Sequence, residues 1–201
     1  MYFDADVILN LLIFLVTAVI LVVFARHEGR WAPERIRKAL RFFTCQSNML
    51  CAAGALCTAV FRLSGNVPRW AWILKYTGTA AATVTMLTVF LFLWPSLGRG
   101  GLKRLLEKYD LFMHLLTPLA AIFSFCALEK QGMSFGQSLW GLVPVLLYGP
   151  LYLYKILYAP EGKRWDDFYG FNKQGKWPAA FGIMLAGTVA VCLGIMALQN
   201  L

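Results

Sequence analysis

Thr44 and His114 are the two side chains around which a reaction could be built. Thr44 opens a polar run, Thr44-Cys45-Gln46-Ser47-Asn48, at the start of a long apolar stretch. A threonine hydroxyl is a weak nucleophile at neutral pH and needs a base within hydrogen-bond reach. His114, at the start of another apolar stretch, is one of two histidines. The other, His27, falls in a highly charged segment and reads as solvated. Asp110 lies one turn before His114 on the same helix face, where it could cap the helix or hold the imidazole.

Thr44, Ser47 and Asn48 follow i, i+3, i+4 spacing and share a helix face, whereas Gln46 points elsewhere. Four polar side chains in five residues are costly in an apolar setting unless they face protein or water. Two readings follow. The run glues helices together, as Ser, Thr and Asn commonly do, or it forms a reaction centre, the default reading of polar groups inside a membrane. Tyr148 and Tyr152, one turn apart around Pro150, could line a pocket, because the proline disturbs local backbone bonding. Pro118, just after His114, could kink its helix in the same way. Tyr154 and Tyr158 read as an interfacial aromatic belt. Thr77, Thr79, Thr83, Thr85 and Thr88 read as packing residues bonded back to their own helix.

These residues sit in a chain of 201 residues that is 59% hydrophobic and only 14% charged, against about a quarter charged in a soluble domain. About 20 apolar residues span the hydrocarbon core. Six stretches qualify, at about 7–24, 42–61, 76–97, 111–128, 138–157 and 179–198. Short connections leave no room for a soluble domain, and a membrane offers no partner to open sheet edges. The expectation is an all-α polytopic bundle of six transmembrane helices forming one membrane domain over 1–201. Asp4 and Asp6 replace a basic leader region and no small-x-small cleavage site precedes Arg26, so the first stretch reads as a retained helix.

Charge sets the expected orientation. The odd-numbered loops carry fifteen Lys and Arg, the even-numbered loops four, with Lys75 counted in the second loop. The positive-inside rule places the odd loops in the cytoplasm and both termini outside. The net charge of +9 then belongs to topology and anionic headgroups rather than to nucleic acid, since no basic stripe with interleaved aromatics recurs on one helix face. Thr44 and His114 both follow cytoplasmic loops, each roughly 5 Å inside its helix start. They therefore stand at similar depth, where a hydroxyl and an imidazole could pair. No charged side chain is expected inside a span, which argues against ion-coupled transport. Five cysteines without C-x-x-C spacing read as small helix fillers. With the histidines on separate elements, no metal site or other cofactor is expected. The segment Trp165-Asp166-Asp167-Phe168-Tyr169-Gly170-Phe171 could lie on the interface or fold over a pocket mouth.

Phe42-Phe43-Thr44-Cys45-Gln46-Ser47-Asn48-Met49-Leu50 resembles the F-T-x-Q-S-N-L-L segment of the androgen-induced and androgen-dependent TFPI-regulating membrane proteins and their bacterial relatives. Asp110-Leu111-Phe112-Met113-His114 with Pro118 resembles that family's helix bearing a histidine and a downstream proline. Tyr148-Gly149-Pro150-Leu151-Tyr152 is similar to its Y-P-x-x-Y helix. Trp165–Phe171 looks like a diverged Y-P-Y-P-F stretch without the prolines. The resemblance implies a multipass hydrolase in a bacterial cytoplasmic membrane, with Thr44 as nucleophile and His114 as base. Its substrates would be lipid esters such as fatty acid esters of hydroxy fatty acids. Gln46, Ser47 or Asn48 could donate to an oxyanion. Acyl transfer to a lipid alcohol is one alternative; Cys45, about 100° around the helix from Thr44, cannot face the same ester. A non-enzymatic lipid-binding or transport bundle is the other.

Overall fold

The computed structural model describes residues 4–98 and 100–201. Helix α1 (Ala5–Phe24) is followed by an antiparallel hairpin of two-residue strands, β1 (Arg26–His27) and β2 (Arg30–Trp31). The hairpin turns through Glu28 and Gly29, both at positive φ (49° and 77°), the backbone sign that a tight hairpin turn needs. Then come α2 (Pro33–Ala39), α3 (Phe43–Leu63), α4 (Arg69–Ser96), α5 (Gly101–Leu105), α6 (Tyr109–Leu128), α7 (Phe135–Leu157) and α8 (Trp177–Asn200). Six of these eight helices, all but α2 and α5, are long and apolar enough to cross a membrane. The chain is an integral membrane helical bundle, as its six apolar stretches predict.

Helix α1 shows why the bundle forms. Asp6, Asn10, Ile13, Thr17 and Ile20 are buried at alternating three- and four-residue steps, while Ile8, Leu12, Leu15, Val19 and Val22 point outward. One stripe meets protein and the rest meets lipid. Helix α4 is the central element, buried through an unbroken run from Lys75 to Thr85. Its small residues let α3 come very close: a Cβ added at Gly54 would lie 2.6 Å from the Lys75 Cα, and one at Gly78 only 2.5 Å from the Cys51 Cα. Such small-residue contacts drive helix association where lipid removes the hydrophobic incentive. Thr77, Thr79 and Thr83 donate to the carbonyls of Ile73, Lys75 and Thr79, the back-bonded packing role expected of them.

One boundary differs from the sequence expectation. Pro68 is extended (φ −66°, ψ 149°) and α4 starts directly after it, at Arg69 rather than near Tyr76. Lys75 is therefore not a loop residue. Its side chain is fully buried inside the span, and the premise that no charge lies within a span fails. The ammonium donates to Asn10 Oδ1 and lies 3.8 Å from Glu129 Oε1. Glu129 Oε1 also accepts from Asn10 Nδ2 at 2.7 Å and from the Ser124 hydroxyl. Asn10 Nδ2 donates further to the Asp6 carbonyl at 2.9 Å, and the Asp6 carboxylate pairs with Arg62 Nε at 3.0 Å. The buried ammonium is compensated by Asn10 Oδ1 and the Glu129 carboxylate, although Glu129 Oε2 has no hydrogen-bond partner among the described residues. The network clasps α1, α4 and α6 at the end of the bundle remote from Thr44.

Removing one partner of such a pair strands the other charge. Lys75→Met is expected to cost about 3–5 kcal/mol, read as a lowered melting temperature in detergent, and adding Glu129→Gln should recover part of the loss. An unchanged melting temperature in Lys75→Met would contradict the clasp.

Candidate active site

Thr44 is the second residue of α3, after an extended Phe42 (φ −93°, ψ 132°). Its carbonyl accepts from the Ser47 hydroxyl at 3.1 Å and from Asn48 Nδ2 at 2.8 Å. Both donors tie the first turn of α3 to its neighbours. Ser47 Oγ lies 2.8 Å from Thr85 Oγ1 of α4, and Asn48 Nδ2 donates a second bond, 3.0 Å, to the Met113 carbonyl of α6. The helix-gluing reading therefore describes Ser47 and Asn48. Thr44 instead lines cavities, on a β-branched side chain with few rotamers.

His114 lies in a widened, π-helical turn of α6 spanning Phe112–Leu116. Pro118 explains the widening: it has no N–H to give the His114 carbonyl, so the ladder shifts register before it. The expected disturbance is thus a local bulge at the histidine itself. A matching bulge in α4, Val89–Leu93, precedes Pro95 and brings Leu93 to the same place. His114 Nδ1 is 2.8 Å from the Leu105 carbonyl at the end of α5. A carbonyl can only accept, so Nδ1 carries a proton, and in the neutral imidazole the lone pair is on Nε2. Leu105 orients the ring, and Asp110 does not hold it.

Thr44 and His114 line one cavity of about 440 Å³, together with Asp110, Met113, Cys45, Leu93, Arg35 and Tyr169. A second, small and mostly apolar cavity of about 30 Å³ also borders Thr44, lined by Val84, Thr88, Val145, Tyr148, Tyr152 and Met184 among others. Thr44, Leu93 and Tyr169 belong to both linings and form the partition between them. A lateral groove of about 820 Å³ runs between α3, α4 and α7 past Gln46, Ser47, Leu50, Ile73 and Leu147; Phe43 and Tyr148 line both it and the small cavity. Gln46 faces this groove, its Nε2 donating to the Leu40 carbonyl at 2.8 Å, and lines neither cavity beside Thr44.

The segment between α7 and α8 folds over the mouth. Asp167 organises it: its carboxylate accepts from the Tyr152 hydroxyl at 2.9 Å and from the N–H groups of Phe171 and Asn172 at 2.9 and 2.8 Å. Phe168 packs on Phe42 with centroids 4.4 Å apart, and Tyr152 meets Phe168, Tyr169 and Phe171. Tyr148 stacks on Tyr152 and donates to the Arg41 carbonyl at 2.6 Å. This fold brings the Tyr169 hydroxyl to the start of α3, where it accepts from the Phe43 N–H at 2.9 Å. The Thr44 hydroxyl, the Thr44 N–H and the Tyr148 hydroxyl flank it. Sequence reasoning places Tyr169 only within an aromatic segment, and it has no means of finding the Leu105 carbonyl, which any residue type would supply.

Burial pushes the Tyr169 phenol above its ordinary range, and the Phe43 N–H with the flanking Tyr148 and Thr44 groups offsets only part of that. An unfolded tyrosine ionises near pH ~10. The contribution of Tyr169 to stability is therefore complete below about pH 10 and is lost as pH rises through the higher folded value. Melting temperature followed from pH 8 upward should fall more steeply in the wild type than in Tyr169→Phe above about pH 10; parallel curves would contradict the buried position of the phenol.

No family model, curated protein or solved structure matches this chain.

Proposed function

We propose that the chain is an intramembrane lipid-ester hydrolase in which Thr44 is the nucleophile and His114 the general base. The observation that carries this reading is the shared cavity of about 440 Å³ lined by Thr44 and by His114, whose Nδ1 is committed to Leu105. That arrangement leaves Nε2 as the acceptor a hydroxyl nucleophile needs. The hydrogen bond His114 makes is to Leu105 and not to Thr44. An ester bound in the cavity brings the pair into one reacting assembly, as catalytic contacts often tighten only with substrate present.

In the first step the Thr44 oxygen bonds to the ester carbonyl carbon while its proton passes to His114 Nε2. The tetrahedral intermediate collapses, the C–O bond to the alcohol breaks, and the alcohol leaves with that proton. Water then gives a proton to Nε2 and bonds to the acyl carbon. The acid departs and Thr44 regains its hydrogen. The mostly apolar groove that shares Phe43 and Tyr148 with the small cavity beside Thr44 is a surface on which a fatty acyl chain could lie, which supports fatty-acid esters as substrates, fatty acid esters of hydroxy fatty acids among them. Replacement of water by a lipid alcohol would make the same centre an acyltransferase.

The site belongs to the cytoplasmic side in this reading, with both termini outside. With Lys75 buried in α4, the even loops hold three basic residues against fifteen in the odd loops, which strengthens the charge asymmetry. One observation favours a second reading, a non-enzymatic transport bundle: the ionisable pair Lys75 and Glu129 buried among α1, α4 and α6. That pair stands apart from the Thr44 cavities, so hydrolysis can be tested separately from it.

Fatty-acid ester hydrolysis by protein in mixed micelles decides between the readings. Thr44→Ala should fall to background, Thr44→Ser should retain activity, and His114→Ala should lose about 10²–10⁴-fold in kcat. Undiminished turnover in Thr44→Ala would remove Thr44 from the chemistry. Product analysis with an added lipid alcohol separates hydrolysis from transfer.

A further inference from the structure

The polar run after Thr44 supplies no free donor for an oxyanion. Both N–H bonds of the Asn48 amide are spent on the Thr44 and Met113 carbonyls. The Ser47 hydroxyl is engaged with the Thr44 carbonyl and Thr85. Gln46 bonds the Leu40 carbonyl and faces the lateral groove. What remains beside the Thr44 hydroxyl is the start of α3 itself, where the Cys45 and Gln46 N–H groups bond the Phe42 carbonyl and the Phe43 and Thr44 N–H groups have no partner within the helix and attract negative charge. One of them, Phe43 N–H, is already taken up by the Tyr169 hydroxyl at 2.9 Å, with the Thr44 N–H and hydroxyl alongside.

We infer that Tyr169 is a catalytic residue whose phenolic O–H, polarised by the start of α3, donates to the oxyanion that forms on the ester carbonyl when Thr44 attacks. The inference rests on the hydrolase reading of Thr44. As the Thr44 oxygen bonds to the carbonyl carbon, the carbonyl π pair moves onto the carbonyl oxygen. The Thr44 proton goes to His114 Nε2, and the Tyr169 proton stays on its own oxygen as a hydrogen-bond donor.

The position is built for such a donor. Tyr169 lines both cavities that meet at Thr44, so its hydroxyl stands at the boundary an ester carbonyl must occupy. The phenol oxygen accepts from a backbone N–H, which strengthens its own O–H as a donor through hydrogen-bond cooperativity. Its main chain is held too: Tyr169 N–H donates to the Tyr152 hydroxyl at 3.2 Å, and that hydroxyl donates to Asp167. Preorganisation of this kind is what gives an oxyanion donor its effect. Burial keeps the phenol protonated, and a donor must keep its proton.

Tyr169→Phe separates this role from lid packing, because it keeps the ring and removes only the hydroxyl. With p-nitrophenyl octanoate in mixed micelles, kcat is expected to fall about 10²–10³-fold with KM little changed and the protein still folded by melting. A kcat within about twofold of wild type would overturn the inference, because a preorganised donor is worth far more than that. So would a higher kcat/KM, which would mark the hydroxyl as a plug over the α3 N–H groups. Thr44→Ala run alongside keeps the two claims apart. Turnover that depends on Thr44 but not on the Tyr169 hydroxyl sinks only this inference, whereas wild-type turnover that does not depend on Thr44 sinks the hydrolase reading and this inference with it.

Discussion

The amide of Asn48 is the contact on which the candidate site depends. One of its N–H bonds goes to the Thr44 carbonyl, one turn back in α3, and the other to the Met113 carbonyl, next to His114 in α6. A single side chain thereby fixes where the turn of Thr44 sits relative to the turn of His114. The contact is strongly enforced, because an amide donor left without a partner among apolar helices costs several kcal/mol. The widened turn at Phe112–Leu116, imposed by Pro118, completes it on the other side. It displaces the local ladder and sets His114 where its Nδ1 reaches the Leu105 carbonyl.

The rest of the bundle keeps that contact in place. Helices α3 and α4 approach through Gly54 and Gly78 until backbone meets backbone, and Ser47 with Thr85 adds a polar stitch between them. At the remote end, Lys75, Asn10, Ser124 and Glu129 lock α1, α4 and α6 together. Proline-induced bulges in α4 and α6 lie at the Thr44 end, beside the cavity that Thr44 and His114 line. The aromatic segment held by Asp167 closes over that opening and carries Tyr169 to the first turn of α3.

Much of this was readable from residue order. Long apolar stretches can do little else than span a membrane, and the polar run from Thr44 to Asn48 was conspicuous against them. Topology and helical rise lead to the expectation of similar depth for Thr44 and His114, and the structure has both lining one cavity. That α3 and α6 are neighbours did not follow, because helix adjacency is set by packing of distant segments. Lys75 was misplaced for a physical reason: a lysine beside an apolar stretch normally marks the water interface, and only the partners Asn10 and Glu129, 65 and 54 positions away in the chain, make its burial tolerable. Tyr169 was hidden by a similar difficulty. Its importance comes from where Asp167 folds the loop, and nothing in the local pattern of Trp165–Phe171 says which ring will reach Thr44.

The central claim is that Thr44, and not its neighbour Cys45, is the residue acylated during turnover. Against the sequence expectation that Cys45 faces away, it is buried and lines the same cavity as Thr44, so the two have to be told apart as attachment points. Incubation of the purified protein with a long-chain alkyl fluorophosphonate, followed by peptide mass mapping, distinguishes them. The account predicts one covalent adduct, on Thr44, whose formation is lost in His114→Ala. An adduct on Cys45, or labelling of the Phe43–Leu63 helix that persists unchanged in Thr44→Ala, would contradict it.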